Sequence, residues 1–315
     1  MSLENLDYNS KEGGPIKEEY FKLKERLEME DQDLQKLKEI VKDISSQQLQ
    51  ENSALPLNPE TGRLSEKEYA VQGIYPQEKV EGTEETVKEL QKKWLQKLQL
   101  PKLEEQIKEE IIGEKIELLA FISSYKFLKD DFIICRSALY DDIDNGVDLL
   151  VFNKETGELV CTVDAGSYVK GKRAEEKKLK VLEKNKKGGA YLTYGLRLKY
   201  ANEKKEITGG SAKNIPVFDL LIPYEEIKEN IKEIESDFSK SSELEKVVFI
   251  HSMQIIRDQI EKMENPVLNI PPLVRERAKD FKKEIRALYP NIFSKSSGNL
   301  DFYLQRSTPK NKISK

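Results

Sequence analysis

Histidine is nearly missing from this chain of 315 residues, which contains only His251. Zinc sites that need histidine, HNH-type nuclease sites and Ser-His-Asp triads all require residues that this chain cannot supply. We interpret His251, which lies in the helical pattern of residues 244–263, as an ordinary helix residue. If the chain is an enzyme, carboxylates and lysines must therefore do the chemistry.

Cysteines and long apolar runs are also scarce. Cys135 and Cys161 are the two cysteines, and both fall in predicted strands, so we expect buried free thiols rather than a disulfide. No apolar run approaches the ~20 residues that span a bilayer. The first residues include Glu4 and Asp7 and lack the apolar core of a signal peptide. We therefore predict a cytoplasmic protein with no membrane partner.

Two further absences limit the classes of function. The glycine pairs at 188–189 and 209–210 lack the spacing and the Lys-Ser/Thr pair of a phosphate-binding loop. The net charge of −4 argues against a protein whose whole surface binds nucleic acid. With 35% charged and 37% apolar residues, the chain is typical of a helix-rich globular protein with one large domain or two ordinary ones.

The stretch from Phe132 to Leu198 is the most informative part of the sequence. Three apolar, β-branched runs at 132–138, 146–152 and 158–164 are separated by short turns, which predicts an antiparallel meander. Asp148 lies inside the second run and Asp164 ends the third. A buried carboxylate costs several kcal/mol unless it is paired, hydrogen-bonded or bound to a metal. These two aspartates are therefore candidate metal ligands.

An acidic run between the first two strands resembles an EF-hand calcium loop at first sight. In that alignment Ile143 and Phe152 occupy positions that require oxygen ligands, so the match fails. We interpret Asp141, Asp142 and Asp144 as polar residues of a turn between two strands.

The rest of the chain divides into helical and polar segments. Residues 1–15 are predicted to be disordered, 16–100 to be a helical, coiled-coil-like region with a linker at about 45–83, 101–240 to be an α/β core, 241–290 to be C-terminal helices, and 291–315 to be a flexible tail. The first helix, 16–44, carries a narrow apolar seam that is typical of packing against another helix, in this chain or in a partner. Its members are Tyr20, Leu23, Leu27, Leu34, Leu37, Val41 and Ile44.

A basic segment follows Asp164. Between residues 165 and 188 there are nine lysines and arginines against three glutamates, a local charge of +6 in a chain of −4. The segment predicts a crossover helix that makes the next strand, 188–198, parallel to the third, with a further strand at 214–222. A basic helix at this place can hold phosphates beside metal-binding carboxylates. A solvated lysine face gives the same pattern, and the sequence does not separate the two.

The order helix, three-strand meander, crossover helix and strand resembles the core of the PD-(D/E)xK nuclease superfamily, with an acid in the second strand and another in the third. The resemblance covers about 102–222. It implies a restriction-endonuclease-like core, a mixed four- to five-stranded sheet flanked by helices, with long N-terminal and C-terminal helical extensions. It further implies Mg²⁺- or Mn²⁺-dependent endonuclease activity, the hydrolysis of DNA phosphodiester bonds.

The resemblance also implies roles for particular residues. Asp148, Asp164, a helix acid and the carbonyl of Ala165 would bind the metal; the helix acid would be Glu117, or Glu114 one turn earlier. The superfamily's third-strand lysine is missing, because the triplet reads Asp164-Ala165-Gly166. The catalytic lysine would then come from the start of the basic helix, and the same region would hold the DNA backbone. The candidates are Lys170 and Lys172 for catalysis and Lys170, Lys172, Arg173 and Lys177 for nucleic-acid binding.

Two other functions remain open at this point. The missing lysine favours a nuclease-like fold that has lost catalysis and acts as a nucleic-acid-binding or structural module. The helical seam favours an interaction scaffold that self-associates or captures a protein partner, with the sheet as its support.

Overall fold

The computed structural model describes residues 15–98, 100–168, 172–201, 204–234, 237 and 240–293. Residues 1–14 of the predicted disordered segment and residues 294–315 of the predicted tail lie outside this range, as does Lys170. The helices are α1 (Pro15–Glu30), α2 (Gln32–Glu51), α3 (Glu66–Val71), α4 (Gln77–Leu95), α5 (Leu103–Leu128), α6 (Leu139–Asn145), α7 (Lys172–Lys186), α8 (Tyr224–Glu233), α9 (Glu243–Met263) and α10 (Pro272–Leu288). The strands are β1 (Phe132–Arg136), β2 (Leu149–Asn153), β3 (Leu159–Tyr168), β4 (Ala190–Leu192), β5 (Leu196–Ala201), β6 (Lys204–Gly209), β7 (Ala212–Ile215) and β8 (Val217–Pro223).

The single N-terminal helix predicted over 16–44 is in fact two helices. Asp31 separates α1 from α2, and its side chain accepts a hydrogen bond from the backbone N–H of Leu34. An aspartate in this position satisfies one of the free N–H groups at the start of a helix. The apolar seam of both helices is buried in the same core as α5. The helix that the seam packs against is therefore in this chain.

The segment predicted as a linker, 45–83, contains regular structure and buried residues. It includes the end of α2, all of α3 and the start of α4, which begins at Gln77 rather than at residue 84. Leu55, Leu57 and Leu64 are buried, and Arg63 pairs with Arg136 of β1 through a parallel bridge. The segment therefore packs against the edge of the sheet.

The central sheet has four strands in the order β1-β2-β3-β8. The three strands of the meander are antiparallel, as the short turns predicted, and β8 is parallel to β3. The expectation that the stretch 188–198 would be the parallel neighbour of β3 is wrong. That stretch breaks into β4, which pairs with β7, and β5, which pairs with β6. The chain returns to β3 only at β8, after this additional antiparallel region.

Both faces of the sheet are covered. Leu149 and Val151 of β2 face one apolar cluster, which includes α5, α9 and α10, whereas Leu150 and Phe152 face the other, which includes residues of α3, α4 and α7. Alternation of side chains along a strand explains this division. The fold is a mixed α/β architecture in which helices flank a mixed sheet. Within the described residues no helix is both long and apolar enough to cross a membrane.

Candidate metal centre

Three carboxylates meet where β1 ends and β2 begins. Asp148 immediately precedes β2, Asp142 lies in α6 and Glu117 lies in α5. One carboxylate oxygen of each lies within 4.8 Å of the others, and all three residues are buried. We call these residues the buried triad. Carboxylates this close together repel one another unless positive charge lies nearby. One hard cation bound between them would supply that charge.

Two arginines supply part of that positive charge. Nη2 of Arg63 lies 2.8 Å from Oδ2 of Asp142 and 3.3 Å from Oε2 of Glu117. Nη2 of Arg136 lies 3.0 Å from the same oxygen of Glu117. Burial would raise the pKa of Glu117, but surrounding positive charges, which include the guanidinium groups of Arg136 and Arg63, lower it below its ordinary value. Glu117 is therefore ionised near neutral pH.

Asp148 is the member of the buried triad that makes no direct ion pair with a described side chain, although the charge of Lys177 acts to lower its pKa. Its Oδ2 accepts a hydrogen bond of 2.6 Å from the backbone N–H of Ala165. Burial, followed by the charges of Glu117 and Asp142, raises the pKa of Asp148 well above its ordinary value. A carboxylate in this environment needs a proton or a further cation.

Beside the triad, Lys177 of α7 reaches back to β3. Its Nζ lies 2.6 Å from Oδ1 of Asp164 and donates a hydrogen bond of 2.8 Å to the carbonyl oxygen of Ala165. Burial opposes the charge of Lys177, but the carboxylate of Asp164 outweighs it and raises the pKa of the amine. Lys177 is therefore held as an ammonium ion between Oδ1 of Asp164 and the carbonyl oxygen of Ala165. Both residues are among the metal ligands expected from the sequence.

Gly166 makes room for this lysine. A Cβ atom at Gly166 would collide with Nζ of Lys177 and would touch the end of its aliphatic stem. The amine therefore lies in the space that a side chain at position 166 would enter. A lysine from α7 therefore lies beside a position of β3 that has no side chain.

A further aspartate lies on the neighbouring strand. Asp219 of β8 is in parallel register with Asp164 of β3, and we call these two residues the strand pair. Asp219 is 2% exposed, and its Oδ1 has no hydrogen-bond partner. Burial is the main reason that its pKa is raised, to about 6. The backbone of Asp219 is fixed by Gln259, which accepts from its N–H at 2.9 Å and donates to its carbonyl at 2.7 Å.

The charges of these two clusters do not balance. The buried triad has three carboxylates against two guanidinium groups, and the strand pair has two carboxylates against one ammonium group. With every group ionised, carboxylates outnumber the cations that contact them by one in each cluster. Carboxylate oxygens and a backbone carbonyl are the ligands that Mg²⁺ and Mn²⁺ prefer. The residues present therefore fit a hard divalent cation.

The structure places the predicted metal ligands in two groups, and Asp164 is not part of the buried triad. Asp148 and Glu117 lie in the buried triad, and the peptide of Ala165 joins Asp148 to the Asp164–Lys177 pair. Of the two glutamates considered for α5, Glu117 is the one in the triad. Nearby Glu114 is also buried, and its Oε1 lies 3.8 Å from Nζ of Lys38.

The predicted lysines are distributed differently. Lys177, predicted to bind nucleic acid, contacts the strand pair through Asp164. Lys172 and Arg173 form the first turn of α7. Lys170 lies outside the described residues.

Sequence reasoning missed several members of the site. Asp142 was assigned to a turn, but residues 139–145 form α6, which delivers its carboxylate to the triad. Asp219 carries the same signal that identified Asp148, an aspartate within an apolar strand, and the pattern could have found it. Arg63 lies in a segment with turn residues, and nothing in its sequence context indicates that it is buried beside acidic groups.

The outer surface of α7 is basic. Lys178 and Lys180 are exposed on the helix, and Lys187 is exposed just after it. Lys184 points inward, and its Nζ donates to the carbonyl oxygens of Asn145 and Gly146. The helix therefore presents one set of lysines to solvent and another to the region around the candidate metal centre.

Comparisons with known proteins give no family for this chain. No protein-family model matches it, and no curated protein or solved structure matches it either.

Proposed function

We propose that this chain is a metal-dependent endonuclease that hydrolyses DNA phosphodiester bonds with a PD-(D/E)xK-like site. One observation carries the proposal: Asp148 at β2, Asp164 on β3 and a lysine amine beside Gly166 are joined through the peptide of Ala165. The order α5, β1, β2, β3, α7, β8, with β8 parallel to β3, supports a restriction-endonuclease-like core. The two buried free cysteines are in keeping with a cytoplasmic location.

The residues that would hold the metal are Asp148, Asp164, Glu117 and Asp142, with the carbonyl of Ala165. Bound there, Mg²⁺ or Mn²⁺ would lower the pKa of a coordinated water and stabilise negative charge on the scissile phosphate. Asp148 is central because it links the two clusters. Its carboxylate lies close to those of Glu117 and Asp142, and it accepts a hydrogen bond from the N–H of Ala165.

We assign to Lys177 the role that the third-strand lysine has in the superfamily. The raised pKa of this amine keeps it charged near neutral pH, so it acts by electrostatic stabilisation of developing negative charge rather than by accepting a proton. Lys170 and Lys172, the candidates from the sequence, are not required for this role.

The exposed lysines of α7 would hold the DNA backbone next to the site. Lys178 and Lys180 lie one and three residues after Lys177 along the helix and are exposed. Contacts of ammonium groups with phosphates position a duplex without reading its sequence. The proposal is therefore a nuclease in which phosphate contacts from α7 bring the backbone to the carboxylates.

A plasmid-nicking assay tests this function. Supercoiled plasmid is incubated with the full chain in Mg²⁺, in Mn²⁺ and in EDTA, beside Asp148→Asn and Asp164→Asn. We expect nicking only with metal, and a loss of at least 100-fold in each variant because each removes a charged ligand. Exposed Lys88→Ser on α4 is the control and should nick like the parent chain. Nicking that persists in EDTA, or in both aspartate variants, would refute the proposed site.

A second function is favoured by one observation. The ion pairs of Arg63 and Arg136 with Glu117 give part of the triad protein partners of its own. Because these arginines neutralise part of the triad without metal, a nuclease-like module that binds nucleic acid without cutting it is the second candidate. In that case DNA binding persists in EDTA and in Asp148→Asn, and no nicking occurs with any metal.

A further inference from the structure

We propose that Asp219 is a positioning residue that receives the ammonium group of Lys177 when a divalent cation binds between Asp164 and the carbonyl of Ala165. The inference rests on the proposed function, because it assumes that metal binds at these oxygens. It adds to that function a residue on β8 and a second position for the lysine.

The present position of Lys177 requires such a movement. Its Nζ lies 2.6 Å from Oδ1 of Asp164 and 2.8 Å from the carbonyl oxygen of Ala165. A metal ion bound to these two oxygens needs the same space, and two positive charges so close repel strongly. The ammonium group therefore stands in for the cation and must leave these oxygens when metal binds.

Asp219 is placed to accept it. It lies next to Asp164 in the parallel register of β3 and β8, and its buried Oδ1 has no hydrogen-bond partner. No ion pair to Asp219 is found among the described side chains. In the buried triad, by contrast, Glu117 and Asp142 already contact arginines, and Asp148 already accepts a hydrogen bond from the N–H of Ala165. An unsatisfied buried oxygen costs free energy that an incoming ammonium group would recover.

The long aliphatic stem of Lys177 permits the exchange. The lysine lies over Gly166, which has no side chain of its own, and α7 contacts β8 directly. After the movement Lys177 remains beside the metal ligands and keeps its positive charge near the scissile phosphate. Asp219 thus holds the lysine close without letting it block the metal.

This arrangement predicts opposite effects of two substitutions on metal affinity. Lys177→Met removes the ammonium group that competes with the metal and should tighten Mn²⁺ binding at least tenfold. Asp219→Asn removes the acceptor and should weaken Mn²⁺ binding at least fivefold, because the displaced ammonium group has no carboxylate to approach. In the Lys177→Met background the same Asp219→Asn change should have little effect, since there is no ammonium group to receive.

The test measures Mn²⁺ affinity by titration calorimetry on the full chain, the two variants and the double variant, which form a double-mutant cycle. Lys88→Met, which removes an exposed charge from α4, is the control and should bind like the parent chain. A weakening by Asp219→Asn that disappears in the Lys177→Met background supports the proposal. A weakening of the same size in both backgrounds, or none in either, overturns it.

The outcomes separate this inference from the proposed function. If the parent chain binds Mn²⁺ and nicks plasmid but the cycle shows no coupling, the role of Asp219 fails and the nuclease proposal stands. If none of the four proteins binds Mn²⁺, the metal site fails and the inference fails with it. Should Asp219→Asn not fold, as judged by circular dichroism, Lys177→Met alone decides, because unchanged or weaker Mn²⁺ binding in that variant overturns the proposal.

Discussion

Nζ of Lys177, on helix α7, lies 2.6 Å from Oδ1 of Asp164, on strand β3. The two residues are 13 positions apart, and the crossover that begins at the end of β3 brings the helix back over the strand. Gly166 leaves the space that the amine enters. A positive group is therefore present beside β3 although position 166 itself has no side chain, and this geometry underlies the proposed nuclease site.

Asp148→Asn should stabilise the metal-free protein while it removes metal binding. Its raised pKa means that ionisation of Asp148 lowers the free energy of unfolding at neutral pH, and asparagine removes that charge. The amide oxygen can still accept from the N–H of Ala165. We expect thermal unfolding in EDTA at pH 8 to occur at a higher temperature in the variant, and added Mg²⁺ to stabilise only the parent chain.

The opposite result is informative as well. A variant that is less stable than the parent chain in EDTA would show that ionised Asp148 has a cationic partner in the folded protein. Exposed Asp258→Asn serves as the control and should leave the response to Mg²⁺ unchanged.

Asp219 should make stability depend on pH in a defined window. Its pKa is raised from 3.8 to about 6, so between these values the folded protein holds a proton that the unfolded chain has lost. The free energy of unfolding should therefore fall as pH rises from about 4 to about 6, by on the order of 3 kcal/mol from this group. In Asp219→Asn that part of the slope should vanish. Urea unfolding at closely spaced pH values measures it, and equal slopes in the two proteins would contradict the assigned pKa.

Arg63 should be important for stability. It contacts Glu117 and Asp142 in a buried environment, so Arg63→Met leaves uncompensated negative charge and should lower the free energy of unfolding by about 3–5 kcal/mol. Lys108→Met, which breaks an exposed pair with Glu104, should cost under about 1 kcal/mol. Urea denaturation compares the two. Adding Asp142→Asn to Arg63→Met should recover part of the loss, whereas a strictly additive further loss would show that these charges do not interact.

The lysines of α7 should determine how DNA binding responds to salt. Lys178→Ser and Lys180→Ser together should reduce the slope of log affinity against log salt by about 1 for each phosphate contact that is lost. Lys88→Ser with Lys92→Ser, on exposed positions of α4, removes the same charge elsewhere. Fluorescence anisotropy of a labelled duplex measures both pairs. Equal changes in the two pairs would place the DNA somewhere other than on α7.

The sequence predicted the parts of the site that local pattern controls. Strands β1, β2 and β3 were recognised from apolar runs and turns, and Asp148 from its cost in an apolar strand. The start of α9 is another feature set by local pattern: Ser242 accepts from the N–H of Glu245, and the Glu245 side chain accepts from the N–H of Ser242.

What the sequence did not predict depends on contacts between distant segments. The runs 188–198 and 214–222 both read as strands, and which of them pairs with β3 depends on packing that no local pattern contains. The contact of Lys177 with Asp164 likewise depends on how α7 lies over β3. Asp142 was assigned to a turn because its acidic run is rich in turn-forming residues, whereas the described chain forms α6 there.

The most direct test of the proposed site transfers the lysine from α7 to position 166 of β3. Metal-dependent nicking is measured for Lys177→Ala and for the double variant Gly166→Lys/Lys177→Ala, in which removal of the α7 lysine opens the space above position 166. Gly166 does not have a positive φ, so its backbone accepts a side chain. We predict that Lys177→Ala loses at least 100-fold in nicking rate and that the double variant regains a large part of it. Nicking by Lys177→Ala at the rate of the parent chain would contradict the account.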